Sequence, residues 1–157
     1  MSTPVALAVL QSIQTALRAI AVSSGYFYDV KSTSVVLDPI PLAMIPTTET
    51  PFFVLDPEAN GQNLYTTSRP VALKVDFTVP ICVRVDAPGD DPDRKRTAGW
   101  QVYADVERAL SADPQRGLLA LYTYVEWPTF GFGPPSQNEV YVEIPVRVLL
   151  QRAYGTP

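Results

Sequence analysis

The sequence contains no histidine. That removes the commonest general acid and base near neutral pH and the commonest protein ligand for metals. There is a single cysteine, Cys82, so no disulfide can close within the chain and no thiolate metal cluster can be assembled, which suits a reducing compartment. Without histidine the thiol also lacks the usual activating partner of a cysteine nucleophile, and its position within a strand pattern marks it as a small strand residue. Basic residues are in the minority, 12 against 16 acidic ones, for a net charge of -4. This argues against a protein built to grip phosphates. Long uninterrupted apolar runs are missing too. The nearest candidate, "STPVALAVLQSIQTALRAIAV", is broken by Gln11, Ser12, Gln14 and Arg18 and has no basic residue ahead of its apolar part, so it reads as an amphipathic helix and not as a targeting or membrane segment.

What is present fits one globular domain spanning residues 1–157. Hydrophobic residues make up 46% and charged residues 18%, ordinary values for such a domain, whereas the 16 prolines are about twice the usual share and predict stiff loops. The opening helix has Thr3 as a possible cap, Pro4 at its start and an apolar stripe of Ala6, Val9, Leu10, Ile13, Leu17 and Ile20 at helical spacing, with Gln14 and Arg18 opposite and Gly25 closing it. "YFYDV" and "SVVLD" read as a short hairpin, "PFFVL" (51–55) as a short central strand, and "DPEANGQNLYTTSRP" as a loop.

Two runs alternate without a fault. In "VALKVDFTVPICVRV" (71–85), the side chains from Val71 to Val85 at every second position are apolar, and Lys74, Asp76, Thr78, Pro80, Cys82 and Arg84 face the other way. "VYVEIPVRVLL" (140–150) repeats the pattern, with Glu143, Pro145 and Arg147 opposite the apolar row. Both runs predict long strands with one buried face. Each also carries a proline in its middle, which belongs at an edge, at a bulge, or where its nitrogen faces no partner. Between them, Asp91 or Thr97 can cap a second helix whose buried face is Val102, Tyr103, Val106, Ala109 and Leu110, with Gln101, Asp105, Arg108 and Ala112 opposite. "LLALYTYVEW" reads as a strand and "PTFGFGPPSQN" as a turn-rich loop. The expected fold is therefore α+β: a mainly antiparallel twisted sheet with two helices packed on one face.

No catalytic, metal-binding or cofactor-binding residue emerges. Asp90, Asp91 and Asp93 are followed at once by Arg94, Lys95 and Arg96, and their spacing fits no calcium loop, so they read as a solvated helix entry. "GFGPPS" precedes a strand and not the helix start that a phosphate cradle needs. Nothing positive points to the paired carboxylates of glycoside chemistry. The features left over are those of an interaction protein. Ile40, Leu42, Met44 and Ile45 lie in one proline-punctuated loop, Trp127, Phe130 and Phe132 lie in another, and Arg94, Lys95 and Arg96 form the only dense basic run. Apolar patches on exposed loops mark partner surfaces.

The amphipathic opening helix, "SSGYFYDVKSTSVVLDP", "ETPFFVLDPEA", the long "ALKVDFTVPICVRV" strand, the "AGWQVYADVERAL" helix and the closing strand together resemble the tail terminator, or tail completion, proteins of long-tailed bacteriophages over nearly the whole chain. The resemblance implies a non-enzymatic subunit without cofactors. Six copies would form a ring on the head-proximal end of the tail tube, halt growth of the tube protein and present a surface to the head–tail connector. It further implies a place in the neck of the virion, with the host cytoplasm as the site of assembly, and passage of DNA through the ring without specific binding. The proline-rich stretch 38–51 departs from the family pattern. The alternatives are another neck or head–tail joining protein and, from a different class, a small-molecule-binding α+β domain or an enzyme working through carboxylates.

Overall fold

The two alternating runs become the backbone of the molecule. A computed structural model describes residues 4–37, 40, 44–46, 48–55, 61–65, 72–134 and 136–153, with only the backbone described at 61–65, 72–73 and 152–153. Within it, Ala72–Asp86 and Glu139–Ala153 are antiparallel partners along their entire length, from Ala72 opposite Ala153 to Asp86 opposite Glu139, with no break in register. The described elements in chain order are α1 (Val5–Arg18), β1 (Val35–Val36), β2 (Phe52–Leu55), β3 (Gly61–Tyr65), β4 (Ala72–Asp86), α2 (Arg94–Ser111), β5 (Tyr122–Val125), β6 (Thr129–Phe132) and β7 (Glu139–Ala153). The sheet runs β1-β2-β4-β7-β5, with β3 on the β2 side of the central pair and β6 on the β5 side. Among the described strands only the β1–β2 pair is parallel; every other pair is antiparallel. The fold is α+β, as the alternation implies.

Flanking strands are shorter than the central pair, so two are needed on each side. β2 covers Ile81 to Arg84 and β3 covers Leu73 to Phe77 of β4, while β6 covers Val140 to Glu143 and β5 covers Val146 to Leu149 of β7. Pro80 and Pro145 sit directly opposite each other, at the changeover between these flanking strands. The Pro145 carbonyl accepts the Glu126 N–H at 2.8 Å from the β5–β6 connection. A strand residue turns its nitrogen and its carbonyl oxygen to the same edge, so the Pro145 nitrogen also faces outward, and by pairing symmetry so does that of Pro80. Neither proline interrupts the central ladder, and neither makes a bulge or marks a sheet edge.

One face of the sheet carries the main core. Phe77, Val79, Ile81, Val83 and Val85 from β4 and Val140 through Leu150 at alternate positions of β7 are buried under Val9, Leu10, Ile13 and Leu17 of α1 and Val102, Val106, Ala109 and Leu110 of α2. A smaller cluster of Ile45, Phe52 and Val54, with Ile40, Val36 and Cys82 packed beside it, covers one end of the opposite face.

Several local expectations are corrected. The 26–37 region is not a hairpin: 32–34 form a single 3-10 turn and Val35–Val36 pair in parallel with β2. α1 ends at Arg18; Gly25, at φ +84°, instead follows a further turn, and its carbonyl accepts the Arg108 guanidinium at 2.7 Å. Gln14 and Arg18 both donate to the Val35 carbonyl, at 2.8 and 3.0 Å, tying the helix to the edge strand. Strands β3 and β6 lie within stretches expected as loops. α2 begins at Arg94 after Asp93, with Asp91 receiving the Asp93 N–H and Thr97 inside the helix. Thr3 lies outside the described residues.

Candidate interaction surfaces

The N-terminal half of α2, the β5–β6 connection and β6 build an exposed aromatic surface together. Its closeness depends on Gly99: a Cβ there would stand 2.7 Å from the Phe130 ring, so only glycine lets β6 lie this close to the helix. Phe130 then meets Trp100 with ring centres 5.1 Å apart and Phe132 at 6.1 Å. Trp127 packs edge-on to Trp100 at 5.9 Å and parallel to Tyr103 at 6.3 Å. Arg96 places its guanidinium over the Phe132 ring at 5.9 Å, a favourable cation–π position. Trp127 remains 77% exposed, with Phe132 and Trp100 also open to solvent. Large aromatic side chains and arginine are the residues that most often anchor protein interfaces.

The basic run is not one patch. Arg94 donates to the carbonyls of Ala87 and Asp91, each at 3.0 Å, and Lys95 donates to the carbonyls of Gly133 and Pro134 at 3.1 and 2.9 Å. These two side chains staple the helix start to neighbouring loops. Arg96 alone is presented to solvent beside the aromatic rings. Asp90, Asp91 and Asp93 are exposed at the helix entry.

The second apolar group, around residues 40–46, is divided. Ile45 is buried and Ile40 half-buried, Met44 is 73% exposed, and Leu42 lies outside the described residues. Beside them, on the face of the sheet away from the helices, opens a pocket of about 340 Å³ between Ile40, Ile45 and Val54 on one side and Gly131 on the other, with Cys82 on its floor. Tyr141 and Glu143 border it. Arg84 also lines it. Its buried guanidinium is fully engaged, donating to Glu139 at 2.8 Å, to Asp86 at 3.0 Å and to the Pro46 carbonyl at 2.9 Å. Hydrogen bonds from Arg84 and then from Tyr141 hold the Glu139 carboxyl below its usual pKa.

Asp105, expected on the exposed face of α2, is 2% exposed. Its carboxylate accepts the backbone N–H of Phe27 and of Tyr28 at 3.0 Å, filling a role that a strand partner would otherwise take for that stretch. Burial raises its pKa against the opposing pull of those bonds and of Arg108. The Tyr28 hydroxyl is pushed up to about 12 by burial and then by the charge of Asp105. No sequence period signals this link, because its other half is irregular backbone far away in the chain.

Comparison with known proteins places this architecture. No protein-family model and no curated protein matches the chain. Among solved structures, 96% of the chain aligns with all of a chain from "Virion of native gene transfer agent (GTA) particle", with a TM-score of 0.50 and 16% sequence identity. The likeness is one of fold.

Proposed function

We propose that the protein is a structural subunit of a phage-like virion, and specifically a tail terminator. In this reading copies of the chain form a ring, six in number by analogy with the family, on the head-proximal end of the tail tube. The ring stops the tube protein from adding further layers and offers the connector a joining surface. The observation that carries the reading of a virion subunit is the end-to-end alignment with a chain of a virion particle; the terminator role rests on the resemblance of the sequence to that family. The exposed Trp100, Trp127 and Phe132 beside Arg96 support it, since a subunit working alone gains nothing from leaving such rings in water. The role is architectural, with no bond made or broken by the chain.

Charge supports the passage of DNA through such a ring. A lining rich in lysine and arginine would neutralise phosphates and hold the genome in a salt-dependent grip. Here the net charge is -4, and Arg84, Arg94, Lys95, Arg108 and Arg147 are bonded to groups of their own subunit. Arg96 then belongs at the rim or on a partner, away from the channel. The test is removal of the gene from a producing strain. Tails of unregulated length that fail to join heads, with normal length restored when purified protein is supplied, are expected; tails of normal length joined to heads would overturn the reading.

A further inference from the structure

After α2 the chain enters a turn that keeps a leucine in water. Arg116, Gly117 and Leu118 all have positive φ, at 50°, 65° and 71°, a conformation that residues with a side chain rarely adopt. Leu118 is nevertheless 84% exposed, so no contact within the subunit compensates for it. The turn is braced from beneath. The Arg116 side chain is buried and donates to the Leu110 carbonyl at the end of α2, the Asp113 carboxylate accepts the Gly117 N–H at 2.7 Å, and the Ala120 N–H returns to the Gln115 carbonyl at 3.0 Å. The result is a turn held by three hydrogen bonds with an apolar tip. A backbone outlier of this kind, held by its surroundings, points to use.

The described residues also bound a mainly apolar socket, the pocket of about 340 Å³ floored by Cys82, walled by Ile40, Ile45, Val54 and Gly131 and bordered by Arg84, Tyr141 and Glu143. Cavities of about 150 Å³ already admit benzene, so a leucine side chain fits this one. Tip and socket cannot meet within one subunit. The turn leads into β5, whose Tyr122 lies beside Leu149, itself opposite Asp76, whereas the socket lies at the Cys82–Glu143 pair. These points are about 20 Å apart along the strands, and the turn packs on the helix-side core through Leu119 and Ala120 whereas the socket opens on the other face.

We propose that Leu118 of one copy seats in the Cys82-floored pocket of the next copy. A tip at one end and a socket at the other make a head-to-tail contact, the kind that closes into rings. The proposal rests on the ring reading and names a contact within it. One leucine is too small an area for a stable complex by itself, so the contact acts beside the aromatic surface and sets the register between neighbours.

The single cysteine makes the contact directly testable. Leu118→Cys puts a thiol on the tip, and oxidation of the purified full chain at high concentration, and of tails carrying it, should give a ladder of covalent multimers longer than the dimer. The ladder should vanish in Leu118→Cys combined with Cys82→Ser. A product that stops at the dimer, or a ladder that survives loss of Cys82, overturns the proposal. So does the absence of a ladder. In that case multimers detected by light scattering, or protein seen on tube ends, leave the ring reading standing, and a chain that is monomeric in solution and missing from tube ends removes both. Leu118→Asp should weaken self-association about ten- to a hundredfold without lowering the melting temperature, since the side chain is 84% exposed in its own subunit. Unchanged association would equally overturn the contact.

Discussion

Pro80 and Pro145 face each other across the middle of the sheet, each with its nitrogen turned away from the other. Proline is therefore tolerated in two central strands because both positions need no donor toward the strand's main partner. Pro80→Val and Pro145→Val should each change stability by less than about 1 kcal/mol. Val79→Pro, one residue away, removes a donor from the buried central ladder and should cost about 1 to 3 kcal/mol for that bond alone. Denaturant melts of the three variants decide the matter: equal losses would mean the nitrogens are not placed as described.

Ile13 and Leu17 are fully buried between α1 and the sheet. Either replacement by alanine should cost about 2 to 5 kcal/mol, according to how far the cavity collapses. Calorimetry reading no change in either variant would show that α1 is not docked there.

Acid stability has opposing contributions. The pKa of Glu139 is lowered by Arg84 and Tyr141, and that of Asp76 by its hydrogen bonds from Arg147. Both stabilise the fold above their unfolded pKa values, and that contribution is lost as pH falls through the lowered folded values. Asp105 is raised by burial, so its contribution has the reverse sign: the fold gains from it as pH falls and the carboxyl takes up its proton. Asp105→Asn should therefore steepen the loss of stability on acidification, whereas Glu139→Gln should flatten it. Unfolding free energies measured from neutral pH down to pH 3 provide the check, and identical slopes in all three proteins would contradict the assignment.

Arg96 and Arg94 are neighbours with separable roles. Arg96→Glu should leave the melting temperature unchanged and impair joining of tails to heads or contact between subunits, because Arg96 is exposed and its guanidinium lies over the exposed Phe132 ring. Arg94→Ala loses bonds to the Ala87 and Asp91 carbonyls and should cost about 0.5 to 1.5 kcal/mol for each net hydrogen bond. Normal assembly with Arg96→Glu would remove that residue from the interface.

The period-two alternation of 71–85 and 140–150 was enough to reveal the long strands and their buried face, and helical spacing revealed Val9, Ile13, Val102 and Val106 as core, because in regular structure the side-chain direction follows from position along the chain. Strands β3 and β6 were not legible. "GQNLY" and "TFGF" carry no strand pattern of their own, and they pair because β4 and β7 outrun β2 and β5 and would otherwise leave backbone groups without partners. The candidate surface was half legible. Exposed aromatics in a loop pointed to Trp127, Phe130 and Phe132, and only the approach over Gly99 joins them to Trp100. The run Arg94, Lys95 and Arg96 looked like one patch until the fold supplied backbone carbonyls to the first two. Asp105, Arg84 and Leu118 owe their roles to chain segments distant in sequence or to a backbone twist with no side-chain period. Local periodicity decides which face is buried, and contacts across the fold decide which polar group is bonded and which apolar one is left for a partner.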